Sequence, residues 1–158
     1  MRPSTNKILI ALLMKVGLTL GVAISQCGCA LAQQGTPETY NAKVGIVNHT
    51  DRYIYAAHAG AGGGGHADRY SAGMANVCCV TLPVKWREGQ RINVQWDMPE
   101  GTKHIWKEKE VDVEQYLSPG SLYLHFFPDD KVRVVVTRWV GTAPEHPIPR
   151  PIPPSENK

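Results

Sequence analysis

Histidine, cysteine and glycine supply the candidates for chemistry in this chain. His58, His66 and Asp68 fall close together and are ligand types that a zinc ion accepts. Flexible glycines separate them, and metal ligands need a rigid surround, so no metal site is expected. The run from Ala59 to Gly73, AGAGGGGHADRYSAG, has the small residues that let backbone N–H groups approach a phosphate. It lacks the Lys-Ser/Thr ending of a nucleotide-binding loop, and no helical pattern follows it. Cys78 and Cys79 are adjacent. Neighbouring Cα atoms sit about 3.8 Å apart, short of the usual disulfide separation. Packing as two small hydrophobes is the first reading, with a vicinal disulfide or a metal or redox role as the others. No second cysteine pair completes a zinc site.

Nucleophilic and acid–base chemistry find little support. There is no G-x-S-x-G turn, and Ser71, Ser118 and Ser121 sit in loop or turn contexts without an evident base. Asp129 and Asp130 are paired carboxylates at a hairpin tip, where they serve first as turn formers. His125, beside Tyr123 and Phe127, reads as a hydrogen-bonded structural histidine. No catalytic residue or cofactor is expected, and the chain reads as a binding protein rather than an enzyme. Binding residues concentrate on loops carried by rigid scaffolds. The expected partner-binding loop is therefore the glycine-rich run, with Gly64, Gly65, His66, Asp68, Arg69 and Tyr70 as its contact residues. Trp86, Trp96, Trp106 and Trp139 occupy strand-like positions where packing is the default. Any that prove exposed would mark an interface.

The elements that must position these residues begin after an export signal. Arg2, Lys7 and Lys15 precede an apolar, uncharged run from Val16 to Ile24, too short for a permanent span. Residues 1–32 read as a signal peptide, with Met14 a competing start. Ala30-Leu31-Ala32 fits ordinary signal cleavage, while Cys29 or Cys27 could instead accept a lipid that anchors the protein to a membrane. The expected place is the periplasm, soluble or tethered in that way. Cleavage after Ala32 removes three of the 17 basic residues and none of the 14 acidic ones, so the two counts become equal. Without a basic field, nucleic acid is not an expected partner.

Residues 33–39 form a polar tether, and 40–141 carry the period-two patterns of a β domain. Ala42, Val44 and Ile46 alternate with polar positions and, with the run from Tyr53 to Ala57, predict a hairpin across the turn formers Asn48 to Asp51. The glycine-rich stretch is expected to be a long mobile loop, because each glycine loses so much freedom on ordering. Val77 to Leu82 predicts a strand buried on both faces, ended by Pro83. Ile92, Val94 and Trp96 predict a half-buried strand, and the charged stretch from His104 to Val113 an edge strand. Leu122 to Phe127 and Val132 to Trp139 flank a hairpin turn. About seven strands point to an all-β antiparallel sandwich of immunoglobulin-like size, with a small barrel as the alternative. Residues 142–158 hold six of the twelve prolines and predict a stiff spacer or a disordered tail.

Several strings taken together carry a resemblance: Asn48-His-Thr-Asp-Arg-Tyr-Ile54, the glycine run, Cys78-Cys-Val-Thr-Leu-Pro83 with Trp86, and Leu122-Tyr-Leu-His-Phe-Phe-Pro-Asp129. They resemble the domain-of-unknown-function family numbered 3304, small proteobacterial envelope proteins, over about residues 40 to 139. The resemblance implies a lipoprotein, and some members look like immunity proteins that block type VI secretion phospholipase effectors in the periplasm. The expected function is therefore a periplasmic binding protein that neutralises a secreted antibacterial effector of phospholipase type. An envelope structural or accessory protein is the alternative, and a hydrolase or metal-dependent enzyme the third reading.

Overall fold

Alternating apolar residues on short β-branched runs build two stacked sheets in the computed structural model, which describes residues 38–156. The expected signal peptide, with Cys27 and Cys29, and most of the expected tether lie outside the described residues. The described residues form nine strands: β1 (Thr39–Asn48), β2 (Ile54–Ala59), β3 (Gly62–Ala67), β4 (Ser71–Ala72), β5 (Val77–Pro83), β6 (Arg91–Asp97), β7 (Trp106–Asp112), β8 (Ser121–Phe127) and β9 (Lys131–Thr137). The first sheet runs β4-β1-β8-β9, with β5 also paired to β1, and the second runs β3-β2-β6-β7. All pairs between strands are antiparallel except β1 with β8. The result is a sandwich, not a closed barrel. Side chains such as Val44, Ile54, Val94, Trp96, Leu124, Phe126 and Val134 fill the space between the sheets.

The hairpin across β8 and β9 forms as expected, with Asp129 and Asp130 at positive φ in its tip. Strand β7 is the expected edge of the second sheet, and its charges face water. Arg91 reaches back to it from β6, pairing with Glu110 at 2.6 Å and Asp112 at 3.0 Å.

Five expectations are corrected. The first predicted hairpin does not exist, because β1 and β2 belong to different sheets. The buried Asn48 makes the corner between them. Its side-chain oxygen accepts from the Thr50 N–H (3.0 Å) and hydroxyl (2.8 Å), while its amide donates to the carbonyls of Arg52 (2.6 Å) and Asp68 (2.9 Å). Those bonds turn the chain out of one sheet and into the other.

The glycine-rich stretch is not a mobile loop, since Gly62–Ala67 pairs with β2 as a strand. Its lack of side chains is what admits it. A Cβ on Gly62 would lie 2.5 Å from the Cys79 carbonyl carbon, and Gly63 adopts a φ of 122°. The freedom these glycines lose is repaid by backbone pairing and close approach to β5. Gly62→Ala is expected to cost about 1–3 kcal/mol through this overpacking, read as a lower urea midpoint with an unchanged slope.

Strand β5 is buried on one face only. Val80 and Leu82 point inward, whereas Thr81 and Cys78 are exposed. Cys78 and Cys79 are joined as a vicinal disulfide, so the packing reading gives way to the second one.

Finally, residues 144–151 do not stand away from the domain. Ile148 packs with Val47, Tyr123 and Val135 on the outer face of the first sheet, and His146 is buried beside it. The segment does not form the expected extended rod: residues 141–148 follow turns and bends, with His146 N–H donating to the Ala143 carbonyl at 3.1 Å, and buried His146, Ile148 and Pro151 face the domain.

Candidate functional site

The outer face of the second sheet is where polar and aromatic groups meet solvent. In β6, Val94 and Trp96 point into the core, so Asn93, Gln95 and Asp97 take the other face. Register places Asp97 opposite both Ala56 of β2 and Trp106 of β7, and places Gln95 opposite His58 and Glu108. Trp106 is 54% exposed and Tyr55 53%. The Trp106 ring lies 6.0 Å from that of His58, and Tyr55 meets His104 edge-on at 4.8 Å.

Asp97 organises one corner. Its carboxylate is fully buried, accepts the Ile105 N–H at 2.8 Å and is bonded to His104 Nδ1. That pairing aims the far edge of a half-exposed imidazole at solvent. Asn93 donates to Glu108 at 2.6 Å. Beside Trp106, a shallow hollow of about 230 Å³ is lined by Gln95, Lys107 and Glu108. Lys107 leaves this surface to hold Asp130 at the tip of the β8–β9 hairpin, at 2.6 and 2.7 Å. The two sheets are thereby tied at that end.

The predicted contact residues divide between two places. Gly64 and His66 lie on β3 and share the outer face, since a Cβ on Gly64 would come 3.4 Å from His58 and His66 approaches Tyr53 at 6.2 Å. Gly65 turns inward onto Val77 and Ile46. Asp68, Arg69 and Tyr70 occupy the turn into β4. That turn is fastened: the Asp68 carbonyl also accepts the Ser71 hydroxyl at 2.7 Å, and the Tyr70 N–H donates to Thr50 at 3.1 Å. A cleft of about 430 Å³ opens beside it, lined by His66, Asp68, Ser71, Met74 and Val77 among others.

Trp96 is core, and Trp86 is half-buried with its indole N–H donating to the Val113 carbonyl at 2.8 Å. Trp139 is 40% exposed on the far side of the fold. The face thus gathers Tyr55, Asp97 and His104, which sequence reasoning did not single out. Only the register between β2, β6 and β7 brings them together. Among the described residues, no group of three or more His, Cys, Asp or Glu side chains is arranged to hold a metal ion.

One protein-family model matches, over residues 47–134, described as a protein of unknown function, DUF3304. No curated protein and no solved structure matches the chain.

Proposed function

The chain belongs to the DUF3304 family, and from that footing we propose that it is a periplasmic binding protein that neutralises a secreted antibacterial effector of phospholipase type by covering it. The observation that carries this reading is a pair of large aromatic side chains, Trp106 and Tyr55, each more than half exposed on a sheet face. Tryptophan and tyrosine dominate the energetic centres of protein interfaces, because they bury much area for little loss of freedom. A paired β-sheet presents them preorganised, which lowers the ordering cost of association.

We place the centre of the docking surface at Trp106, Tyr55, His58 and His104, with His66 of the predicted loop at its flank. The hollow beside Trp106 suits insertion of a partner side chain. The role needs no catalysis from this chain. The accessory reading drew on the proline-rich segment as a spacer, and that segment lies against the sheet.

Tagged full chain, mixed with secreted phospholipase-type effectors, including any encoded beside its gene, is expected to retain one of them and lower its activity. Trp106→Ala is expected to weaken that binding at least 30-fold, about 2 kcal/mol. Thermal stability should stay close to the parent's because the ring is exposed. Binding unchanged in both Trp106→Ala and Tyr55→Ala would reject the face, and failure to retain any such effector would reject the function.

A further inference from the structure

Three histidines far apart in sequence form one hydrogen-bonded line on the outer face of the first sheet. His49 Nε2 lies 3.0 Å from His125 Nδ1, His125 Nε2 lies 2.9 Å from His146 Nε2, and His146 Nδ1 lies 3.0 Å from the Trp139 carbonyl. His125 is fully buried and His146 is 5% exposed. The His49 ring stacks on Phe127 at 4.2 Å, and His146 meets Tyr123 edge-on at 4.8 Å. His125 spends each of its nitrogens on a different neighbour, so the three rings do not converge on a point where one metal could sit.

Donor and acceptor roles follow from the end of the line. A carbonyl only accepts, so His146 Nδ1 carries a proton. Its Nε2 then accepts from His125, whose Nδ1 accepts from His49. The line is complete with all three rings neutral. One extra proton can be carried by shifting tautomers along it. A second sets N–H against N–H and breaks a bond.

The surroundings disfavour even the first charge. Val47, Tyr123, Val135 and Ile148 pack around the line. The charged groups nearby are Arg133 on β9, whose guanidinium is held by Glu114 at 2.6 and 2.9 Å, and Lys131, which lies over the Phe127 ring. Burial, then like charge from Arg133 and His146, lowers His49 to about 4, and burial, then His146, His49 and Arg133, depresses His125 further. Burial also lowers His146, opposed by the Trp139 and Val140 carbonyls.

His146 is the one member carried by the proline-rich segment, in which Ile148 and Pro151 are also buried. We propose that the His49–His125–His146 line is an acid-opened clasp: neutral, it holds residues 144–151 on the first sheet, and taking up protons frees them and uncovers Val47, Tyr123 and Val135.

The test is an amide NMR titration of the ¹⁵N-labelled full chain from pH 7.5 to 4. Amides of residues 142–152 are expected to move to disordered positions below pH 6.5, more steeply than a single group titrates, while those of β2 and β6 stay folded. His146→Lys, with a permanent charge, is expected to show the open segment at pH 7.5. His146→Gln keeps a neutral donor and acceptor there and should shift the transition to lower pH or flatten it. The clasp is overturned if the segment stays docked until the whole domain unfolds. It is equally overturned if His146→Lys stays docked at pH 7.5, or if His146→Gln opens at the same pH and steepness as the parent.

Discussion

Phe126→Ala is expected to destabilise the domain by about 3–5 kcal/mol. Phe126 is 1% exposed on β8 and meets Trp96 of β6 with ring centroids 5.5 Å apart, so the pair spans the two sheets at the middle of the core. Truncation removes the transfer free energy of a ring and leaves a cavity, and strands paired on both sides cannot collapse into it. A domain this small has only about 5–15 kcal/mol of total stability. The melting temperature should therefore fall by on the order of 15 °C or more. Trp96→Phe is the informative contrast. Its indole N–H is buried without a partner among the described atoms, so losing it removes a desolvation cost as well as contacts. The expected loss is less than about 2 kcal/mol. Equal losses in the two variants, measured by urea unfolding, would contradict this account of the core.

Acid is expected to weaken the fold through the buried histidines. An unfolded imidazole titrates near 6.5, whereas His49, His125 and His146 are all depressed in the folded state, chiefly by burial. Above that pH both states are neutral and contribute no slope. Below it the unfolded chain binds protons that the folded chain refuses, so stability falls as the pH drops until the folded groups titrate. His125, fully buried and lowered to about 2, alone accounts for a loss of roughly 2 kcal/mol between pH 6.5 and 4.5. Urea midpoints should fall over that interval, and His125→Gln should flatten the fall. An equally steep fall in His125→Gln would assign the acid sensitivity elsewhere. Where the tail opens first, the histidines gain protons before unfolding and the slope lessens at lower pH.

Local pattern by itself determined the all-β class, the β8–β9 hairpin with its Asp129-Asp130 tip, the charged edge at β7, and the inward stripe of Ala42, Val44 and Ile46. Each rests on period-two alternation or turn chemistry within a few residues, which any stretch of sequence displays. The resemblance carried by its strings agreed with the family. Only the tertiary structure decided which strands share a sheet. Asn48 bonds to Asp68, twenty residues on, and no local rule anticipates a corner made that way.

The same holds for the glycine run. Its composition argues for a loop, and only the nearness of β5 turns the missing side chains into an advantage. The exposed aromatic face and the histidine line are likewise products of register. Tyr55, Trp106 and His104 come from different strands and loops, and His49 and His125 are 76 residues apart. The sequence displays such residues one at a time, whereas bonds of about 3 Å between them exist only after the backbone has paired.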